Sequence, residues 1–214
     1  MEDVSALPRP RAMTGADLRA AAALHASELP EGFLAQLGPR FLRQYLATFL
    51  DTPGGVAVVV DDEHGDLVGF LVGSTRDGHH RAALRGHAGV LVLSALRSLA
   101  VRPVVLLQLL RTRAGSYLRA LGRTSRGSPS EPTRQRRVRT AVLLNVAVSP
   151  QARGRGAGAS LVRGFEAAAR ADGCGRAVLI SFGDKAFYEH LGWDRVSARR
   201  NSRGQDVVAY RRSL

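Results

Sequence analysis

The spacing of the hydrophobic positions changes along the 214-residue chain. In the first 50 residues this spacing predicts two helices. Residues 13–29 repeat apolar side chains at the helical period, with Thr14 as the capping residue and Pro30 as the stop. A second helix is predicted from Pro39, a residue type favoured in the first helical turn, through residue 50. The order of elements therefore opens with two helices.

Strands are predicted on both sides of the middle of the chain. Residues 55–74 read as two strands joined by a turn at DEHGD, where Gly65 suits a positive φ. Residues 138–150 and 177–182 are near-continuous apolar runs, which are typical of buried central strands. The stretch NSRG, residues 201–204, predicts the turn of a C-terminal hairpin.

A helix over residues 158–172 is predicted between the two buried strands. Five apolar residues share its inward face: Leu161, Val162, Phe165, Ala168 and Ala169. Glu166 and Arg170 are expected to form an outward-facing i,i+4 ion pair. A short helix over residues 184–193 follows and is expected to end at Gly192.

The middle of the chain has a different character. Residues 83–121 read as two apolar helical segments split near Pro103, and a polar connection follows them. Arg97 and Arg102 interrupt the apolar runs before they reach the roughly 20 residues that a membrane span needs, so no transmembrane segment is expected.

The complete order predicts an α/β fold with one domain over residues 1–214. A helical and flexible insertion at about 75–137 interrupts it. The insertion could pack on the edge of the domain, form a lid or an acceptor pocket, or present an amphipathic surface to a membrane.

Composition removes several classes of site. The single cysteine, Cys174, excludes an internal disulfide and any metal site built on several cysteines. The six histidines show no HExxH spacing, so no metal is expected. The N-terminus has two acidic residues and no apolar core, which argues against a signal peptide and for a cytoplasmic protein.

Positive charge is concentrated in the middle of the chain. The formal net charge is +13, and residues 78–165 hold 16 arginines and one acidic residue. Such a field attracts anions, which include nucleic acid, an acidic membrane surface and a polyphosphorylated cofactor.

The stretch SPQARGRGAGAS, residues 149–160, decides between these anions. Its GRGAGA satisfies the dinucleotide pattern G-x-G-x-x-A, but SPQAR separates it from the strand and the next strand carries no acid at its end. A nucleic-acid surface would bring aromatic stacking residues, and none interleave with these arginines. A third interpretation is an anion cradle, in which alternating glycines expose backbone N–H groups at the start of a helix. This third arrangement suits a pyrophosphate best.

Two blocks of sequence resemble the GNAT superfamily of N-acetyltransferases. VAVSPQARGRGAGASLV is similar to its acyl-CoA signature, a buried strand followed by R/Q-x-x-G-x-G/A at a helix start. The pattern matches Arg153, Gly156 and Gly158, and also Gln151, Gly154 and Gly156 two residues earlier. AFYEHLGW is similar to a later helix of the family, and the resemblance covers about residues 10–74 and 138–212.

The resemblance implies a GNAT-like mixed central sheet flanked by helices, with acetyl-CoA as co-substrate and no metal. The strand before the loop would hold the pantetheine arm, and the loop would hold the pyrophosphate. The cofactor-binding residues implied are Val146, Ala147, Val148, Arg153, Gly154, Arg155, Gly156, Ala157, Gly158 and Ala159.

The family's tyrosine corresponds to Tyr188, whose hydroxyl would protonate the leaving thiolate. The general base is less defined. Asn145 in the strand could orient water, and Glu28, Glu31 and His25 lie in the segment that borders the acceptor in the family. Asp184 lies in a shortened GDKAFY stretch where the family often has an upstream Asn, which leaves one usual cofactor contact without a counterpart.

The sequence therefore predicts an acyl-CoA-dependent N-acyltransferase that acetylates a primary amine by direct attack. The acceptor would be a small molecule or a peptide, without nucleic acid, and the protein would be a monomer or a homodimer. A non-catalytic acyl-CoA-binding module and a nucleic-acid-associated protein remain the alternatives.

Overall fold

A computed structural model describes residues 9–30, 33–76, 138–182, 186–201 and 204–214. Residues 77–137, which make up most of the predicted insertion, lie outside the described residues, and so do Glu31 and Asp184.

After a two-residue strand, Arg11–Ala12, the chain forms a series of helices. A 3₁₀ turn, Gly15–Asp17, leads into α1 (Leu18–Glu28), and α2 (Phe33–Gln36) and α3 (Gly38–Asp51) follow. The predicted cap is present, because the Thr14 N–H donates to the Asp17 carboxylate at 2.7 Å. The proline predicted to open the second helix lies in the first turn of α3. Both predicted helices are thus confirmed.

Seven strands of the described residues form one sheet. Their spatial order is β1-β2-β3-β4-β5-β7-β6, with only β4 and β5 parallel to each other. The strands are β1 (Arg11–Ala12), β2 (Gly55–Asp61), β3 (Leu67–Ser74), β4 (Thr140–Val148), β5 (Arg176–Phe182), β6 (Asp194–Arg200) and β7 (Asp206–Ser213). The predicted mixed sheet and both predicted hairpins are confirmed.

Helices cover the two faces of the sheet unequally. On one face α4 (Ala157–Ala171) buries Leu161 and Phe165, and α5 (Ala186–His190) adds to the same apolar core. On the other face α1 and α3 pack on β2, β3 and β4, where Leu42 and Leu46 are fully buried. The second face is therefore covered mainly on the β2–β4 side.

The predicted outward position of Glu166 is wrong. Glu166 is 5% exposed, and the Trp193 indole N–H donates to its Oε1 at 3.0 Å. Arg170 lies 3.6 Å from the same carboxylate, as the i,i+4 spacing predicted, and Arg212 of β7 lies 3.7 Å away. The carboxylate faces inward because the indole and two guanidinium groups satisfy its charge there.

Candidate active site

The parallel strands β4 and β5 separate halfway along their length. They pair from Thr140 opposite Arg176 to Leu143 opposite Leu179, whereas β3 pairs with β4 as far as Val148. The register between β3 and β4 shifts at Leu144, a bulge that bends the strand at the point where the two parallel strands part. Residues 145–148 are therefore left with an edge that faces β5 without pairing to it. We call it the open edge.

Alternation of the ladder decides which main-chain groups face the open edge. The Ser149 N–H donates to the Val68 carbonyl at 2.8 Å, so Ser149 and, two residues earlier, Ala147 bond toward β3. The N–H and C=O groups of Val146 and Val148 consequently point toward β5. Of the three strand residues that the sequence predicted at the cofactor, Val146 turns both main-chain groups toward the open edge. Val148 turns its N–H there, but its carbonyl accepts a hydrogen bond from the Arg153 Nε.

The glycine loop connects the end of the open edge to the start of α4. After a 3₁₀ turn, Pro150–Ala152, Gly154 and Gly156 adopt φ values of +75° and +83°, and Gly156 is the N-cap of α4. The first N–H groups of α4 have no carbonyl one turn earlier to bond, and they add to the positive end of the helix dipole. The loop thus presents donors and positive potential next to Val148.

Gly158 has a packing role. It lies inside the first turn of α4, and a Cβ built there would come 3.2 Å from the Phe187 ring. The start of α5 therefore packs directly against the start of α4, close to the mouth of the open edge.

Arg153 joins the loop to α1. Its guanidinium forms an ion pair with the Glu28 carboxylate, and its Nε donates to the Val148 carbonyl at 3.3 Å. The Arg153 side chain is 59% exposed and that of Glu28 is 15% exposed. The fold thereby brings together one predicted catalytic residue and one predicted cofactor residue, which lie 125 positions apart in sequence.

Asn145 contacts α3. The Tyr45 hydroxyl donates to its Oδ1 at 3.3 Å, and burial raises the pKa of Tyr45 above its usual range, so this phenol stays neutral. Tyr45 had no place among the sequence-predicted residues. It lies 100 residues from Asn145 in a helix whose pattern predicts only core packing, so no local signal could have found it.

Tyr188 lies in α5 and is 7% exposed. Its ring packs against Phe187, Tyr210 and Trp193, with centroids 5.1, 5.3 and 6.2 Å away. Burial, reinforced by the neighbouring Tyr210, raises the pKa of Tyr188 to about 12. The hydroxyl is therefore protonated throughout the physiological pH range and can act as a donor.

His25 is buried in the layer of α1 above β3. Its ring stacks on Phe70, with centroids 6.0 Å apart, and neither ring nitrogen has a hydrogen-bond partner among the described residues. Burial lowers the pKa of His25, so the imidazole is neutral near pH 7. A neutral, enclosed ring of this kind contributes packing to the α1 layer.

Over residues 9–30, 33–76, 138–182, 186–201 and 204–214, no three His, Cys, Asp or Glu side chains come close enough together to hold a metal ion. No helix within those ranges combines the length and the apolar character that crossing a bilayer requires.

One stretch of the chain matches a known family model. Residues 124–193 match the model of the acetyltransferase (GNAT) family. No curated protein matches the chain by sequence.

Solved structures match at low sequence identity. A phosphinothricin acetyltransferase from Sinorhizobium meliloti, in complex with acetyl-CoA, is 16% identical over 97% of this chain and 89% of its own, with a TM-score of 0.61. A ribosomal-protein-alanine N-acetyltransferase from Brucella melitensis is 16% identical over 96% and 99% of the two chains, with a TM-score of 0.56. A nourseothricin acetyltransferase is 16% identical and is matched over 75% of this chain but 66% of its own, at a TM-score of 0.44. The family match and the shared fold confirm the resemblance to the GNAT superfamily that the glycine loop and the AFYEHLGW block predicted.

Proposed function

We propose that the protein is an acyl-CoA-dependent N-acyltransferase that transfers the acetyl group of acetyl-CoA to a primary amine. The observation that carries the proposal is the junction at Val148. There the open edge of β4 meets a glycine loop and the N-terminus of α4. An extended arm that contains amides fits the open edge, and a pyrophosphate fits the glycine loop with the N-terminus of α4.

The donor would lie along the open edge. The N–H and C=O groups of Val146 and the N–H of Val148 would pair with the amides of the pantetheine arm, as a further strand would. The N–H groups of Gly154, Arg155, Gly156, Ala157, Gly158 and Ala159 would surround the pyrophosphate, with two guanidinium groups supplying charge. The Arg153 N–H, which the sequence also predicted there, instead donates to the Pro150 carbonyl at 3.3 Å. This arrangement ends with the thioester inside the gap between β4 and β5.

The chemistry is direct attack in a ternary complex. The amine nitrogen forms a bond to the thioester carbonyl carbon, the C–S bond breaks, and the proton lost from nitrogen is balanced by one gained at sulfur. Tyr188 would donate a hydrogen bond, and then its proton, to the leaving sulfur, and would regain a proton from the nitrogen through solvent. With a pKa of about 12, Tyr188 is a weaker acid than a thiol, so its donation is favourable only as charge develops on sulfur.

Removal of the amine proton would fall to residues on the α1 side. The Glu28 carboxylate would accept the proton, either directly or through a water molecule held by Asn145, which Tyr45 orients. Glu31 follows α1 in sequence and remains a candidate for the same role. Arg153 must leave Glu28 before that carboxylate can accept a proton.

The test is thiol release from acetyl-CoA with a panel of amines. Tyr188→Phe should lower kcat by about 10²–10⁴-fold while leaving acetyl-CoA affinity within twofold. The deficit should be constant from pH 6 to pH 9, because a hydroxyl with a pKa of about 12 does not titrate in that range.

Tyr210→Phe is the matched control, since it removes a hydroxyl from the same aromatic cluster. Equal losses in the two variants would assign Tyr188 to packing. Tight acetyl-CoA binding without thiol release for any amine would favour a non-catalytic acyl-CoA-binding module.

A further inference from the structure

Two large apolar side chains of β5 are exposed beside the open edge. Ile180 is 60% exposed and Phe182 is 64% exposed. They occupy the first and third positions after Leu179, the last residue of β5 that pairs with β4. At about 3.3 Å per residue, they line the gap over about 3 to 10 Å from the point where the strands part.

Strand alternation places both side chains on the face that carries Asn145. Ala177, Leu179 and Ser181 of β5 are buried toward α4, so the even-numbered residues point the other way. Asn145 also points away from α4, because it contacts Tyr45 of α3. The two β5 side chains therefore belong to the α1–α3 side of the gap.

The patch extends onto β7. Ile180 is opposite Ala209 and Phe182 is opposite Val207, so all four side chains share one face. We call these four residues the β5–β7 apolar face. Among the described residues, α1 and α3 pack on β2, β3 and β4. On the β5–β7 apolar face the β5 side chains of Ile180 and Phe182 are exposed, whereas Val207 of β7 is buried and Ala209 is half-buried.

A cation borders the far side of the patch. Arg199 of β6 is opposite Val207, on the same face, and is exposed. Its charge, within a chain of net charge +13, repels a second ammonium group on a ligand.

We propose that the β5–β7 apolar face binds the body of the acceptor, and that the acceptor is a monoamine with an aromatic or branched alkyl body. This inference rests on the proposed function and names the substrate class of the same site. Continuity argues for a ligand in this place, because the patch runs directly into the gap where the thioester would lie. An amine held at Asn145 would extend its apolar body along the same face toward Ile180 and Phe182.

The charge at the rim selects against polyamines, and the apolar surface selects against hydroxylated amines. Exposed apolar patches of this kind commonly mark binding grooves. Phe182 is accordingly a specificity-determining residue, whereas Ile180 forms the part of the patch nearest the reacting atoms.

The experiment compares 2-phenylethylamine, ethanolamine and spermidine as acceptors by thiol release. The expected result is a kcat/KM at least tenfold higher for 2-phenylethylamine than for either polar amine. Phe182→Ala should raise the KM for 2-phenylethylamine at least tenfold, and Phe182→Leu should restore it to within threefold. Acetyl-CoA affinity should stay within twofold in both variants.

Val138→Ala is the matched control. Val138 is 52% exposed and precedes β4, at the opposite end of the strand from the open edge. A preference for ethanolamine or spermidine would overturn the inference, and so would equal effects of Phe182→Ala and Val138→Ala. The inference would also be overturned if the protein were a dimer and Phe182→Ala made it a monomer. That result would show that the apolar face contacts a second copy of the chain.

Binding of 2-phenylethylamine, measured by saturation-transfer NMR with coenzyme A present, separates this inference from the proposed function. Binding that is lost in Phe182→Ala supports the apolar face even if no amine is acetylated. Efficient acetylation of polar amines alone supports the proposed function and refutes the apolar face.

Discussion

The two halves of β4 have similar sequences and opposite environments. TAVL, residues 140–143, pairs with β5 along its whole length and with β3 at Val142 and Leu143, and Ala141 and Leu143 are buried beneath α4. NVAV, residues 145–148, keeps β3 and loses β5. The first half stabilises the sheet, and the second half offers free main-chain groups to a ligand. A single bulged residue, Leu144, separates the two roles.

The largest effect is expected where the glycine loop meets the open half. Gly156→Val forces a β-branched residue into a φ of +83° at the N-cap of α4, which displaces the N–H groups of the loop. Acetyl-CoA affinity, measured by isothermal titration calorimetry, should fall at least 100-fold.

Gly65→Val controls for backbone strain. Gly65 has the same φ of +83° in the β2–β3 turn, away from the site, with nothing within 4 Å of an added Cβ. Each variant should lose about 1–2 kcal/mol of stability, but only the first should lose the donor. Unchanged affinity in Gly156→Val would remove the loop from the donor site.

A smaller effect is expected from proline within the open half. Val146→Pro removes an N–H that points toward β5, so it should lower acetyl-CoA affinity about tenfold while the sheet persists. Ala147→Pro removes an N–H that bonds β3 and should cost about 3 kcal/mol in the free energy of unfolding. Denaturant unfolding and titration calorimetry on both variants check the assignment. If Val146→Pro destabilised the protein more than Ala147→Pro, the Val146 N–H, and not the Ala147 N–H, would be the one that bonds β3.

The smallest effect is expected from the ion pair between α1 and the loop. Glu28→Gln frees Arg153 and removes a negative charge beside the anion cradle, so acetyl-CoA should bind about twofold to fivefold more tightly at low salt. The gain should shrink at 1 M salt, where a Debye length of about 3 Å screens exposed charges. Glu63→Gln, in the β2–β3 turn, should change neither value. Weaker binding in Glu28→Gln would mean that the pair holds the loop in its binding conformation.

Several parts of the fold and of the candidate site followed from local sequence. Helix periods, the Thr14 cap, the turn glycines and the apolar runs of β4 and β5 depend on neighbours in the chain, so the sequence was sufficient to predict them. The glycine loop was recognisable for the same reason, since its conformation depends on residues that lack a Cβ. The error at Glu166 shows the limit of this approach. Helical spacing predicted its pair with Arg170, but Trp193 and Arg212, both distant in the chain, determined which way it faces.

The sequence by itself determined the order of elements, the loop that suits a pyrophosphate, and the resemblance to the GNAT superfamily. Tertiary structure alone decided where β4 leaves β5, that Arg153 reaches Glu28, that Tyr45 orients Asn145, and that Ile180 and Phe182 are exposed beside the gap. The physical reason is the range of the interactions. Local conformation is encoded within a few residues, whereas strand register and side-chain partners depend on segments that lie up to 125 residues apart.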